Sequence, residues 1–165
     1  MGEREMILLM GAMFFFAMTT MSINRYCLNN SQVIMESEFN YHAISIAQGI
    51  IEEAKTKKFD HVVIATPTRD KDSLTLAADL GREGSVFDDI DDYHYYNENP
   101  LELAAEVDGR KVDYTVQVEV GYVQESDPST VVPSQKFYKK MTVTVTSSYL
   151  SNPVVLSHIF SYFEY

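Results

Sequence analysis

The feature that most constrains the fold is an uncharged apolar segment near the start of the sequence, residues 6–23. Its first part reads MILLMGAMFFFAM, and the remaining positions add only Thr, Met, Ser and Ile. As an α-helix, these 18 residues would extend over roughly 27 Å, close to the bilayer core thickness of about 30 Å. The Thr and Ser side chains are compatible with this, because they can hydrogen-bond to carbonyls of their own helix. The segment therefore predicts a membrane-spanning helix.

Two other interpretations of this segment stay open. A cleavable secretory signal needs a basic start and a small-x-small cleavage site, whereas the flank reads Glu3-Arg4-Glu5 and residues 19–23 offer no such site. A helix buried in a soluble core would have to be apolar on every side within a small domain. The orientation of a spanning helix is not fixed by charge, because one Arg flanks the segment at each end.

The helix is expected to continue well beyond the apolar segment. No proline occurs before Pro67, and Lys55, Lys57 and Lys58 provide the cations that suit a helix C-terminus. From Val33 onward, apolar residues recur at steps of three and four on one stripe. The sequence thus predicts one helix from near Glu3 to about Lys57, apolar all round in its first half and amphipathic in its second. The stripe comprises Ile34, Phe39, Ala43, Ile44, Ala47, Ile50, Ile51 and Ala54.

The rest of the sequence has the periodicity of β-strands. Residues 112–120 and 140–146 alternate apolar and polar side chains, which is typical of strands with one buried face. Residues 61–64 are a shorter strand candidate, and residues 154–163 are a last apolar one. Residues 125–134, rich in Ser, Asp and Pro, are typical of a long hairpin loop. Three or four antiparallel strands would cover the amphipathic helix.

These elements predict an α+β fold, in which a long N-terminal helix packs on a C-terminal antiparallel β-sheet. We expect residues 1–24 to be the membrane-spanning part of the helix and residues 25–58 its amphipathic part. Residues 59–165 are expected to form a β-rich globular head. Within the head, residues 66–106 are an acidic segment with little regular pattern, and a connection of this length is either functional or lies over the sheet.

Charge and cysteine content exclude several classes of function. The sequence has 24 acidic and 13 basic residues, a formal net charge of -11. Nucleic-acid binding needs clustered Lys and Arg, so no nucleic-acid partner is expected. Cys27 is the only cysteine, which rules out an intrachain disulfide and a multi-cysteine metal site. The preceding Asn24-Arg25-Tyr26 are too bulky and polar for a lipoprotein acylation site.

Two segments resemble a known protein family. Residues 42–60 read HAISIAQGIIEEAKTKKFD and resemble the A-x-x-x-A-Q-x-x-(I/L)-E-E-x-K-x-x-x-(F/Y)-D stretch of minor pilins. Residues 87–93 read FDDIDDY and, with Asp108-Gly109 and a strand following, are similar to the F-D-D-(V/I)-D-D-(Y/F) segment of MSHA-type minor pilins. With the long helix, they give the chain a resemblance to type IV pilins and type II secretion pseudopilins, closest to the MSHA-type minor pilins.

The resemblance implies a non-enzymatic structural subunit of a type IV pilus or pseudopilus-like assembly. Its helix would pack against other pilin or pseudopilin subunits. Its location would be the inner membrane, with the C-terminal domain extracytoplasmic, or a surface filament. The alternative is a single-pass membrane-anchored extracytoplasmic interaction domain that does not enter a filament. Adhesion, secretion, DNA uptake and priming use the same subunit plan, so the sequence does not distinguish among them.

The start of the sequence departs from the pilin pattern, in which a prepilin peptidase cuts after a basic leader and a Gly that precede F-T-L-x-E. Residues 1–5 read MGERE. Cleavage after Gly2 would place Glu5 third, whereas counting from Met1 places it fifth. In pilins, the carboxylate at position five pairs with a neighbouring subunit's terminal ammonium, which avoids a costly unpaired charge in the bilayer. Gly2 is thus the candidate processing site and Glu5 the candidate assembly residue, and the alternative places residues 3–5 in the headgroup region.

The candidate metal ligands are Asp88, Asp89, Asp91 and Asp92, because clustered carboxylate oxygens suit Ca²⁺. Their spacing differs from that of an EF-hand, and the competing interpretation is a solvated acidic loop. No other cofactor is expected. The four histidines are scattered without metal or catalytic spacing, and the sequence contains no G-x-S-x-G, G-x-G-x-x-G or P-loop motif. The sequence therefore predicts no enzymatic activity.

Overall fold

A computed structural model gives the fold and describes residues 2–81 and 86–162, the side chain of Ala65 excepted. A 52-residue helix, α1, opens the chain and is followed by two short helices and five strands. Single turns of 3₁₀-helix occur at Lys71–Ser73 and Asp91–His94. The elements are α1 (Glu3–Ala54), α2 (His61–Ala65), α3 (Tyr95–Glu98), β1 (Leu101–Val107), β2 (Arg110–Gln124), β3 (Asp127–Val131), β4 (Tyr138–Thr146) and β5 (Val154–Ser161).

The chain divides into two compact units, Met1–Glu38 and Phe39–Tyr165. Every described residue of the first unit from Glu3 onward belongs to α1. The second unit contains the remainder of α1, the short helices and the whole sheet. The predicted α+β fold, a long N-terminal helix on a C-terminal antiparallel sheet, is confirmed.

Helix α1 matches the prediction closely. Its observed end at Ala54 precedes the predicted end, at about Lys57, by less than one turn. Ile34, which the periodic pattern placed on the apolar stripe, is exposed because it lies in the first unit, before the part of the helix that packs on the sheet. The residues of α1 that are buried are Phe39, Ala43, Ala47, Ile51 and Ala54.

The sheet is antiparallel, with the strand order β1-β2-β4-β5, and β3 pairs with the far end of β2. Strands β2 and β4 are its centre, and their inward residues form the core. The register sets Val116 opposite Val145 and Val118 opposite Val143. All four side chains are completely buried. The apolar and polar residues that alternate in the sequence therefore lie on the buried face and the outward face of the sheet, respectively.

A hydrogen bond joins this face directly to the helix. The hydroxyl of Tyr114, on β2, donates to the carbonyl oxygen of Phe39 at 3.3 Å, and Tyr114 is completely buried. The Phe39 ring also packs on Tyr149, with 5.1 Å between ring centroids. Residues 39–54 thus cover the sheet as the amphipathic stripe predicted.

One predicted strand is wrong, since residues 61–64 form most of helix α2 rather than a strand. The cause is Asp60, whose carboxylate accepts a hydrogen bond from the Val62 N–H at 3.1 Å and caps the helix. A run of four residues is too short for periodicity to distinguish helix from strand.

The predictions for two connections are also corrected. The expected hairpin loop at residues 125–134 contains strand β3, and the acidic segment at residues 66–106 contains most of strand β1 and several short helical turns. The sheet therefore has five strands rather than three or four. Strand β1 pairs with β2 through a two-residue turn, in which Asp108 and Gly109 adopt φ values of 49° and 71°. Such left-handed residues favour hairpin formation. The last strand ends at Ser161, and Phe163 lies outside the described residues.

Candidate functional site: the apolar helix and the acidic segment

The first candidate site is the apolar part of α1, which is long and apolar enough to cross a membrane. None of the side chains in its most apolar stretch is buried. Phe14, Phe15 and Phe16 are exposed by 67%, 72% and 74%, so aromatic rings project on several sides of the helix. Soluble proteins rarely leave so large a contiguous apolar surface uncovered.

Its polar residues are satisfied within the helix, as the sequence predicted. The hydroxyls of Thr19 and Thr20 both donate to the carbonyl oxygen of Phe16, at 2.9 Å and 2.8 Å. The Ser22 hydroxyl donates to the Met18 carbonyl oxygen at 2.9 Å. These bonds remove the main cost of placing hydroxyls in an apolar surrounding.

Glu5 and Gly2 lie together at the start of this helix. The Gly2 N–H donates to Oε2 of Glu5 at 3.1 Å, and the Glu5 N–H donates to the Gly2 carbonyl oxygen at 3.0 Å. These two hydrogen bonds satisfy two backbone N–H groups that otherwise have no partner at the start of a helix. Within the chain, Glu5 therefore acts as a helix cap.

The second candidate site is a part of the acidic segment, residues 87–93, in which two of the four aspartates bond to backbone N–H groups of the same turn. Oδ2 of Asp92 accepts from the N–H groups of Asp88 and Asp89, at 2.7 Å and 3.2 Å. In return, Oδ1 of Asp89 accepts from the Asp92 N–H at 3.0 Å. Asp89 and Asp92 are both 2% exposed, so these carboxyls shape a tight buried turn.

This turn also pairs with the chain that follows α1. The Lys58 N–H donates to the Asp88 carbonyl oxygen at 3.2 Å, and the Ile90 N–H donates to the Lys58 carbonyl oxygen at 3.0 Å. The two segments that resemble pilin sequences, residues 42–60 and 87–93, are therefore joined by a short β-bridge.

Beneath the turn lies a buried cluster that sequence reasoning missed. The Lys139 ammonium, on β4, is 2.6 Å from Oδ1 of Asp91 and 2.8 Å from Oδ2 of Asp60. All three side chains are completely buried. Lys139 also donates to the Phe59 carbonyl oxygen at 2.8 Å, and Tyr122 donates to Oδ2 of Asp60 at 3.1 Å. A sequence signal was present, because the alternation of β4 places Lys139 on the same inward face as Met141 and Val143.

The surroundings shift the acidities of these carboxyls in opposite directions. Burial would raise the pKa of Asp60, but the Lys139 ammonium, with hydrogen bonds from Val62 and Thr75, lowers it overall. Burial raises the pKa of Asp91 although Lys139 opposes the change. Burial, and then the neighbouring charge of Asp91, raises the pKa of Asp89 to about 8. Asp89 is thus the carboxyl most inclined to hold a proton near neutral pH.

The four aspartates predicted to bind Ca²⁺ have different environments. Asp91 pairs with Lys139, while Asp89 and Asp92 bond to backbone N–H groups. Among the residues described, the acidic or histidine side chains whose ligand atoms converge within 4.8 Å are those of His61, Asp88 and Asp89. The calcium site stays a prediction, and the principal role visible for the carboxylates is to hold the turn.

Comparisons with known proteins give no assignment. No family model matches the sequence. No curated protein and no solved structure matches it either. The resemblance to pilins therefore rests on residues 42–60 and 87–93 and on the long apolar helix.

Proposed function

We propose that this protein is a membrane-anchored structural subunit of a type IV pilus or pseudopilus-like assembly. Residues 6–23 would span the inner membrane, and the sheet domain would lie on the extracytoplasmic side. Assembly would occur by burial of α1 against the corresponding helices of other pilin subunits.

The observation that carries this proposal is the exposed apolar surface at the start of α1. Its most apolar stretch has no buried side chain, and its hydroxyls bond to their own helix. Such a surface needs an apolar environment, which lipid chains or neighbouring helices provide. A membrane anchor that can exchange lipid contacts for helix contacts accounts for both its composition and its length.

The continuation of the same helix into the sheet domain gives further support. Residues 39–54 bury one stripe against the sheet, so the apolar segment is covalently continuous with a folded domain. This layout resembles that of pilins and pseudopilins. The bridge between Lys58 and Asp89 brings together the two segments on which the sequence resemblance rests.

The second candidate is a single-pass membrane-anchored interaction domain that never enters a filament. It is favoured by the hydrogen bond between Gly2 and Glu5, because the carboxylate that would pair with a neighbouring subunit already has a partner in its own chain. Both candidates share the anchor and differ in whether α1 contacts other subunits.

Coexpression with a prepilin peptidase and a major pilin separates the two candidates. The intact mass and N-terminal sequence of the chain recovered from membranes report processing, and its presence in sheared filaments reports assembly. A chain trimmed within its first few residues and present in filaments is the result expected of a pilin-like subunit. Loss of filament incorporation in Glu5→Gln, with Glu3→Gln as the matched control, would identify Glu5 as the assembly residue. An unprocessed chain that stays in the membrane and never enters filaments would favour the interaction domain.

A further inference from the structure

The two outer strands of the sheet differ in how their edges are protected. Natural sheets protect their edges with charged side chains, proline, bulges or covering segments, since an open edge invites another strand. Strand β1 follows Pro100 and carries exposed Glu102 and Glu106. Strand β5, at the opposite side, has the sequence VVLSHIFS and contains no Asp, Glu, Lys, Arg or Pro.

The edge of β5 is also regular and open. Its pairing with β4 runs from Val145–Val154 to Tyr138–Ser161 without a shift of register. Val155 and Ile159 are exposed by 55% and 42%. Within residues 2–81 and 86–162, no other strand pairs with β5, and no backbone hydrogen bond from another segment reaches its outer edge. The backbone N–H and C=O groups on the outer edge of β5 can therefore pair with one more strand.

A basic pocket lies at the C-terminal end of this edge. Its volume is about 380 Å³, and β5 and its continuation supply Phe160, Ser161 and Tyr162 to its wall. The end of α1 and the residues after it supply Lys55, Lys57 and Lys58, and no acidic side chain lines it. Three lysines thus meet at one pocket of a chain whose net charge is -11.

The charges of this pocket are largely uncompensated. Lys55 pairs with Glu52 at 2.6 Å, whereas Lys57 and Lys58 have no carboxylate within ion-pair distance among the described residues. Burial and then the Lys55 ammonium lower the pKa of His158, on β5, although the Glu52 carboxylate opposes the change. The pocket thus combines an apolar and aromatic wall with a positive potential.

We propose that β5 is a docking edge that takes up an extended segment of a partner protein as an added antiparallel strand, with acidic residues at that segment's N-terminal end seated against Lys55, Lys57 and Lys58. Backbone hydrogen bonds supply the affinity in strand addition, and side-chain contacts supply the specificity. In an antiparallel pair, the partner's N-terminal end lies at the C-terminal end of β5, where the pocket is.

A partner protein fits this edge better than a second copy of the chain. Two β5 edges paired antiparallel would place each lysine group beside Ser151, Asn152 and Pro153 of the other copy, which carry no charge. Two chains of charge -11 also repel one another. The docking edge lies within residues 39–165 and does not depend on whether the apolar helix enters a membrane.

Binding of synthetic peptides to the full chain in a mild non-ionic detergent tests the docking edge. The probe is an acetylated, amidated peptide of sequence Asp-Glu-Asp-Thr-Val-Thr-Val-Thr with a fluorescent label. We expect saturable binding that is about fivefold to tenfold weaker for the analogue beginning Asn-Gln-Asn, and weaker for the reversed sequence. The peptide contains two sets of alternate residues, and the N–H groups of only one set face β5. N-methylation of that set should abolish binding, whereas N-methylation of the other set should not.

Variants of the protein locate the site on this edge. Lys57→Gln/Lys58→Gln should weaken binding of the acidic peptide about fivefold to tenfold and leave binding of the Asn-Gln-Asn peptide unchanged. Lys71→Gln/Lys111→Gln changes the net charge equally at exposed positions elsewhere and should alter the affinity less than about twofold. Matching thermal unfolding curves would confirm that both variants are folded.

Several results would overturn the proposal. These are no saturable binding, equal affinity for the acidic and neutral peptides, or binding that tolerates N-methylation of both alternating sets. A concentration-dependent dimer that the peptide dissociates would show that a second copy occupies the edge, and would overturn the assignment to a partner protein.

Discussion

The ammonium of Lys139 lies 2.6 Å from the carboxylate of Asp91, and both side chains are completely buried. Through Asp60 and the Phe59 carbonyl oxygen, the same ammonium reaches the segment that follows α1. One lysine of the sheet thus holds the acidic segment and the end of the helix in place. The Lys139 ammonium also lies 4.7 Å from the centre of the Phe59 ring, which adds a favourable cation–π contact.

We predict that Lys139→Met destabilises the fold by about 3–5 kcal/mol, because it leaves two buried carboxylates without their cation. Urea unfolding followed by circular dichroism in detergent measures the change. The combination Lys139→Met/Asp60→Asn/Asp91→Asn should recover part of the loss, since the uncompensated charges are then removed.

Lys140→Met is the matched control for this prediction. Lys140 is the next residue of β4, and its ammonium donates to the Ser129 carbonyl oxygen at an exposed position, 3.2 Å away. Its replacement should change the free energy of unfolding by no more than about 0.5 kcal/mol. Equal effects of the two single variants would show that the buried cluster does not stabilise the fold.

Asp89 should make the stability depend on pH. Its pKa is raised to about 8 by burial, then by the charge of Asp91, with Asp92 adding to the shift and Lys139 opposing it. Between about pH 4, near the ordinary pKa of Asp, and pH 8, the folded chain holds a proton that the unfolded chain has released. The stability that depends on this proton is therefore fully present below about pH 4, falls as the pH rises, and is lost once the pH has passed through about 8.

The variant Asp89→Asn tests this dependence, because an amide keeps the oxygen that accepts from the Asp92 N–H but cannot ionise. We expect it to exceed the natural chain in stability by more than about 1 kcal/mol at pH 8.5, and by much less at pH 4.5. Asp113→Asn, at an exposed position, is the control. A stability difference that is the same at both pH values would contradict the assignment.

Gly121, on β2, lies too close to strand β3 to accept a side chain. A Cβ atom built on it would come within 2.6 Å of Cγ1 of Val131. Gly121→Ala should therefore cost about 1–3 kcal/mol by overpacking. The compensating Gly121→Ala/Val131→Ala variant should regain most of this loss in thermal unfolding. If the second substitution gives no recovery, the close approach of these two strands is not the cause.

The parts of the fold that the sequence predicted are those with long periodic patterns. The stripe from Phe39 to Ala54 and the alternation in residues 112–120 gave the helix and the central strand, because each repeats over several turns or pairs. Strand β1 was missed because its outward positions include Ala104 between two glutamates, which weakens the alternation. Its turn was visible, however, in Asp108-Gly109.

The alternation of β4 indicated that Lys139 faces inward, but its partners could not be predicted, because they are distant in the sequence. Asp60 and Lys139 are 79 positions apart, and only the folded sheet brings them together. The acidic segment illustrates the same limit. Its aspartates suggested metal binding, whereas Asp91 is held by Lys139 and Asp92 by the backbone N–H groups of the turn.

Cys27 offers a test of the topology proposed for the anchor. It is exposed on α1 and lies four residues beyond Ile23, the end of the apolar segment. In intact cells, a maleimide that crosses the outer but not the inner membrane should label Cys27, because it would lie on the extracytoplasmic side. In a Cys27→Ser/Met13→Cys variant, the thiol lies within the apolar segment and should react only after the membrane is dissolved. Labelling of Cys27 only after lysis would indicate the opposite orientation.

The most direct test of the membrane anchor is extraction of cell membranes with alkaline carbonate, followed by detection of the full chain. We predict that the natural chain stays in the pellet, while Met13→Arg/Phe16→Arg is released, because it places two charges near the bilayer centre at a cost of about 2.5–3.5 kcal/mol each. The control Leu28→Arg/Val33→Arg adds the same charges at exposed positions beyond the segment and should stay in the pellet. Recovery of the natural chain in the carbonate supernatant would contradict the account.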